Sequence, residues 1–228
     1  MSTMPNLTKS FHEISLTKDE IWDLAVDSDL VCTYYDEFFY ELGNWQRDIM
    51  IDVVGGIAGK TVLDIGCGGL RFGTFIMEEL ANGHYYGVDP YHKFLDFGRK
   101  ISEKLNCVDK VTLIQSKNCD FPSDIKFDFA MSQSVFTHMS EGQILDCLEK
   151  LLPIMKPGGK LVFTYITTKL PHAHHDGRLY QEAMPVVCAY LAGTKILQDF
   201  ATKHNLHLIE DYTEVPHPTN QKVGILSF

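Results

Sequence analysis

The segment TVLDIGCGGLRFG, residues 61–73, passes without a break from a short apolar strand pattern into a glycine turn. A helical pattern follows, with Phe72, Phe75, Ile76 and Leu80 at helix spacing. Strand-like and helix-like segments alternate from residue 61 onward, which points to a parallel sheet covered by helices. The next segments repeat the unit. HYYGVD (84–89), VTLIQ (111–115), FDFAMS (127–132) and KLVFTYI (160–166) read as further strands. Residues 93–105 form a helix pattern with Phe94, Phe97, Ile101 and Leu105 on one face. Residues 141–155 form another, with Ile144, Leu148, Leu151 and Leu152 inward, ending at KPGG because Pro157 and two glycines cannot continue it. After a helix over 193–205, the strands LHLIEDY (206–212) and KVGILSF (222–228) are joined by only nine residues, TEVPHPTNQ. That is too short for a helical crossover, so they pair antiparallel. The expectation is an α/β fold with a seven-stranded, mostly parallel sheet and an antiparallel last strand.

Residues 1–55 break the alternation. They are rich in aromatics and acids, as in YYDEFFYELGNWQRD, and read as a helical cap or lid over the carboxyl edge of the sheet. The expected organisation is a cap at 1–55 and a core at 56–228 with a substrate loop at 167–190. A net charge of −10, with no run of more than two Lys or Arg, points away from nucleic acid. The six cysteines form no C-x-x-C pair, which suits reduced thiols in the cytoplasm. No secretory start and no membrane-length apolar run are visible, so no membrane partner is expected. The sequence leaves the oligomeric state open, a homodimer included.

In an open parallel sheet, ligands sit beyond the carboxyl ends of the strands where strand order reverses. Gly66 and Gly68 let a ligand approach the backbone there. Asp89 ends the second strand, 21 residues after Gly68, where an acid accepts both hydroxyls of a ribose. Two ligand classes compete. A dinucleotide fingerprint needs a third glycine where Arg71 stands, and it does not need an acid ahead of the turn. S-adenosylmethionine carries a cationic methionyl end that Asp64 would complement. A nicotinamide-dependent reductase and a non-catalytic cofactor-binding protein are the alternatives to a methyltransferase.

Taken together, VLDIGCGGLRFG, YYGVDPY, FDFAMSQSVFTHMS, LLPIMKPGGKLVFTYI and the closing HPTNQKVGILSF resemble class I S-adenosylmethionine-dependent methyltransferases, from about residue 60 onward. The closing segment is similar to a small-molecule subgroup whose first motif contains G-C-G-x-L-R. The resemblance implies a Rossmann-like fold and S-adenosylmethionine as cofactor. It implies that Gly66, Cys67 and Gly68 line the methionine portion and that Asp89 holds the ribose. It places Asn118 and Cys119 beside adenine and Gln133 near the methionyl amino group. The sequence departs from the family where the usual third glycine is Leu70.

Methyl transfer chiefly needs alignment of the nucleophile, and a hydroxyl acceptor needs a base. His138, just past the fourth strand, and His217, between the last two strands, are the candidates, each weighed against a purely structural role. His172, His174, His175 and Asp176 lie in the 167–190 loop, but their spacing matches no metal site, so no metal is expected. His174 and Arg178 from that loop, and Tyr35 from the cap, are assigned to the substrate side. Arg71 reads as facing outward or pairing with an acid. The function expected is methyl transfer to a small-molecule acceptor, a hydroxyl first and an amine next.

Overall fold

The protein is described by a computed structural model covering residues 16–27, 37–167, 175–176, 187–188, 194–219 and 221–228. Helices α1 (Lys18–Asp27) and α2 (Glu37–Val54) lead into strand β1 (Thr61–Ile65). Then follow α3 (Arg71–Ile76), β2 (His84–Asp89), α4 (His92–Lys104), β3 (Val111–Gln115) and β4 (Phe127–Ser132). The chain continues through α5 (Glu141–Leu151), β5 (Met155–Tyr165), α6 (Lys195–His204), β6 (His207–Ile209) and β7 (Lys222–Ser227). The seven strands lie in the order β3-β2-β1-β4-β5-β7-β6, and β7 runs antiparallel to both neighbours. A two-residue ladder pairs His175–Asp176 with Val187–Cys188.

The elements start and stop for local reasons. Thr17 and Glu20 cap α1 reciprocally: the Thr17 hydroxyl accepts from the Glu20 N–H at 3.2 Å, and Glu20 accepts from the Thr17 N–H at 2.9 Å. Ser140 and Gln143 do the same at α5. Asn205 closes α6 in the left-handed region, at φ 55°. The expected end of the 141–155 helix moves back to Leu151, because Pro153 has no N–H to continue it. Pro157, Gly158 and Gly159 then fall inside β5, as an outward step between the Phe127–Met155 and Phe129–Lys160 pairings. The strand expected over 206–212 is shorter, at His207–Ile209.

Side chains alternate between the sheet's two faces. Val62, Tyr85, Phe129, Met131, Val162 and Ile225 face α1 to α4, while Leu63, Ile65, Ala130, Leu161 and Phe163 face α5 and α6. Helix α2 is a layer of the first core: Phe39, Trp45, Ile49 and Met50 are buried in it. Gly43 leaves room for the Phe75 ring of α3, since a Cβ there would stand 2.2 Å from that ring. The segment expected to be a lid therefore supplies, in its second half, one of the helices the sheet needs to cover its face. No helix among the described residues is long and apolar enough to cross a membrane.

Candidate cofactor and acceptor site

Strand order reverses between β1 and β4, so the turns after these two strands meet at the carboxyl edge. Gly66 and Gly68 adopt positive φ of 69° and 52°. A Cβ on Gly66 would stand 2.3 Å from the Val135 side chain, so the β1 turn abuts the β4 turn. Over Gly68 there is open space, and its N–H points to the Asp89 carboxylate at 3.0 Å. The other Asp89 oxygen accepts the Tyr91 N–H at 2.9 Å. Asp89 is buried, which raises its pKa against the pull of these two N–H groups.

Leu70 itself takes φ 69° and is fully buried. Its side chain fills the space that Gly73 leaves: a Cβ on Gly73 would stand 2.8 Å from it. The turn thus keeps its left-handed step with a leucine, at a strain of about 1–2 kcal/mol.

Asp64 points into the first core, where the Tyr85 hydroxyl donates to it at 2.5 Å. Burial raises its pKa to about 7; Tyr85 and Arg71 oppose the rise and Asp89 adds to it. Cys67 is buried beside these two carboxyls, and burial with their negative charge keeps its thiol protonated. Asn118 and Cys119 lie on the turn after β3, where the Ser116 hydroxyl accepts from the Asn118 and Asp120 N–H groups at 3.1 and 3.0 Å. Cys119 holds φ 52° there.

A second polar group lies at the end of β4. Of the two orientations expected for Arg71, outward or paired with an acid, the outward one is not adopted: the side chain turns inward, where its Nε donates to Gln46 Oε1 at 3.2 Å and a terminal nitrogen donates to Gln133 Oε1. Being the first residue of α3, it starts at the ligand edge. Gln133 Nε2 donates to the Ser134 hydroxyl at 2.5 Å and lies 3.4 Å from His217 Nε2. The Trp45 ring meets His217 edge-on, with centroids 4.5 Å apart, and the Trp45 Nε1–H donates to the Val215 carbonyl at 3.0 Å. Gln133 and His217 are thus brought together, in the company of Gln46, Arg71 and Trp45, which sequence reasoning did not place here. His138 is exposed on the 3-10 turn Phe136–His138. Tyr35, His174 and Arg178 lie outside the described residues. Among the described residues, no group of three or more His, Cys, Asp or Glu is placed to hold a metal ion.

Asp64 and His217 give the site opposite pH signatures. The Asp64 carboxyl titrates at about 7 when folded against 3.8 normally. Between those values the folded form holds the extra proton, so Asp64 makes stability fall as pH rises. Burial, aided by Arg71, lowers the His217 pKa to about 4 from 6.5. Between those values the unfolded form holds the extra proton, so His217 makes stability rise with pH. Relative to the parent, Asp64→Asn is expected to steepen the rise of Tm between pH of about 4.5 and 6.5, and His217→Gln to flatten or invert it. Parallel Tm-against-pH curves for all three proteins would contradict these environments.

A family model described as "Methyltransferase domain" matches residues 58–214. A Pseudomonas putida protein named "Probable fatty acid methyltransferase" is 28% identical over 173 residues, covering 74% of this chain and 42% of that protein. The chain therefore spans less than half the length of that relative. Among solved structures, the CcbJ methyltransferase from Streptomyces caelestis is similar with a TM-score of 0.62, at 14% identity, covering 80% of this chain and 88% of that one. A SAM-dependent methyltransferase from Aquifex aeolicus gives 0.58 at 17% identity, covering 93% and 98%. The fold is the Rossmann-like class I methyltransferase fold. With the family model matched over more than half of its length, the chain belongs to the methyltransferase-domain family.

Proposed function

We propose that this protein transfers a methyl group from S-adenosylmethionine to a small-molecule acceptor, a hydroxyl in the first place and an amine in the second. The observation that carries the reading is Asp89: a buried carboxylate at the end of β2, fixed by two backbone N–H groups across from the glycine turn. Each of its oxygens keeps a lone pair to accept a ribose hydroxyl. Gly66, Cys67 and Gly68 line the methionine portion, and the turn holding Asn118 and Cys119 borders adenine. Asp64 stands behind the turn as a carboxyl that gains charge near neutrality and so complements a cationic group. The bound cofactor supplies an already activated methyl group. The protein's part is to hold the acceptor oxygen in line with that group and to keep water out.

His138 is proposed as the base. A hydroxyl acceptor gives its proton to a ring nitrogen, and the exposed turn lets the proton pass on to solvent. Tyr35, His174 and Arg178 are proposed as acceptor contacts on sequence grounds, in a cytoplasmic enzyme with no nucleic-acid partner. Arg71 at the third fingerprint position speaks against a nicotinamide cofactor. The test is formation of S-adenosylhomocysteine from S-adenosylmethionine across a panel of hydroxyl and amine acceptors. His138→Ala is expected to lower kcat by about 10²- to 10⁴-fold while cofactor affinity stays within about twofold. Unchanged turnover would remove His138 as base. Cofactor binding with no methylated product from any acceptor would favour the non-catalytic alternative.

A further inference from the structure

His217 has one nitrogen committed. Its Nδ1 accepts from the Thr219 backbone N–H at 3.1 Å, and the Thr219 hydroxyl lies at the same distance. A backbone N–H only donates, so Nδ1 keeps its lone pair, and the proton of the neutral ring sits on Nε2. Burial and the Arg71 charge keep the ring neutral.

Gln133 is committed in the same way. A guanidinium only donates, so the amide oxygen faces Arg71 and the amide nitrogen faces Ser134 and His217. The two nitrogens 3.4 Å apart, His217 Nε2 and Gln133 Nε2, are therefore both donors and do not bond to each other. His217 is only 5% exposed and Gln133 7%. Among the described residues, His217 Nε2 meets no acceptor. A buried donor left unpaired costs about 1–3 kcal/mol, so the arrangement makes sense when something fills it. Reversing the Gln133 amide only moves the conflict, because the amide nitrogen would then face Arg71.

We infer that His217 Nε2–H and Gln133 Nε2–H form a two-donor pocket for an anionic oxygen, and that this oxygen belongs to a carboxylate on the methyl acceptor. Two buried N–H groups this close can be satisfied together by one negatively charged oxygen, as paired donors stabilise an oxyanion in other enzymes. Arg71, bonded to the far side of Gln133, favours an anion there and disfavours an ammonium. Gln133 then recognises an oxygen instead of the methionyl amino group. His217, with no lone pair on Nε2, positions the acceptor and is not a base. Assigning the oxygen to the acceptor rests on the methyl-transfer reading; the two-donor pocket does not. The cofactor's methionyl carboxylate offers the same chemistry, and the experiment separates the two sources.

The experiment uses the full chain labelled with ¹⁵N-histidine, with the spectrum of His217→Gln serving to assign the His217 signals. Long-range ¹H–¹⁵N correlation at pH 7 is expected to show a neutral ring protonated on Nε2. Benzoate is then titrated with and without S-adenosylhomocysteine, alongside S-adenosylhomocysteine alone and its decarboxylated analogue. A downfield shift of the His217 Nε2–H with benzoate, and none with S-adenosylhomocysteine alone, places the oxygen on the acceptor. A shift with S-adenosylhomocysteine that its decarboxylated analogue does not produce supports the pocket and assigns the oxygen to the cofactor. An Nδ1–H tautomer, a cationic ring at pH 7, or no shift with any of these probes overturns the inference. Failure of S-adenosylhomocysteine to bind at all would instead count against the methyl-transfer reading, since the tautomer and the benzoate response stay readable without it.

Discussion

Asp89→Ala is expected to raise the Kd for S-adenosylhomocysteine by about 100-fold or more, which is the loss of roughly 3 kcal/mol from two hydrogen bonds to a charged group. The size of the effect follows from how the carboxylate is held. Gly68 and Tyr91 each donate one backbone N–H to a different oxygen, so both oxygens are fixed before any ligand arrives. Alanine would also leave those two N–H groups unpaired, at about 1–3 kcal/mol each, so the variant is expected to melt earlier as well. Asp89→Asn tests the same point with the size kept. An amide offers one acceptor and one donor, so it must set its NH₂ against one of the two backbone N–H groups. Isothermal calorimetry, with circular dichroism to check folding, separates affinity from stability. A folded Asp89→Ala protein with parental affinity would remove the ribose assignment.

The second large effect is expected at Gly66. Alanine there meets two separate obstacles. The φ of 69° costs a side chain about 1–2 kcal/mol, and the new Cβ lands 2.3 Å from Val135, adding about 1–3 kcal/mol of overpacking. Gly66→Ala is therefore expected to cost about 2–5 kcal/mol of stability, read from the denaturant midpoint at constant m-value. Combining it with Val135→Ala relieves the contact but not the backbone, so the double-mutant cycle is expected to return a coupling of about 1–3 kcal/mol. Strict additivity would mean that the β1 and β4 turns do not touch as described. A Gly66→Ala chain as stable as the parent would contradict the turn conformation itself.

Much of this fold was legible in the sequence because its strands are short apolar runs bounded by turn residues. β1 to β4 fall where the pattern puts them, and the nine-residue link fixes the antiparallel end of the sheet. The misplaced helix end shows the limit of composition: Pro153 and Pro157 both punctuate the segment, and the first one stops α5. The placement of Asp64, Gly66, Gly68 and Asp89 was legible for the same reason as the fold, since they sit at strand ends whose position follows from topology.

The polar group around His217 was not legible. The surroundings of His217 come from α2 through Trp45, from the end of β4 through Gln133, and from its own loop through Thr219. Nothing in the local pattern around VPHPTNQ signals that a tryptophan 172 positions earlier will lie on the ring. Arg71 shows the same limit at shorter range. Its place as the first residue of a helix was readable, but the inward turn of its side chain depends on Gln46 and Gln133 both offering an oxygen. Helix α2, expected as part of a cap, adds Phe39, Trp45, Ile49 and Met50 to the core that also buries Val62, Phe129 and Val162, a gain of about 1.5–3 kcal/mol for each large side chain.

The central claim is that a sulfonium nucleoside occupies the carboxyl edge between β1 and β4. A crystal structure of the full chain with S-adenosylhomocysteine tests it most directly. The ribose hydroxyls should lie on the Asp89 carboxylate, with adenine beside the turn that carries Asn118 and Cys119. Density for the nucleoside anywhere else on the protein, or a ribose that makes no contact with Asp89, would contradict the account.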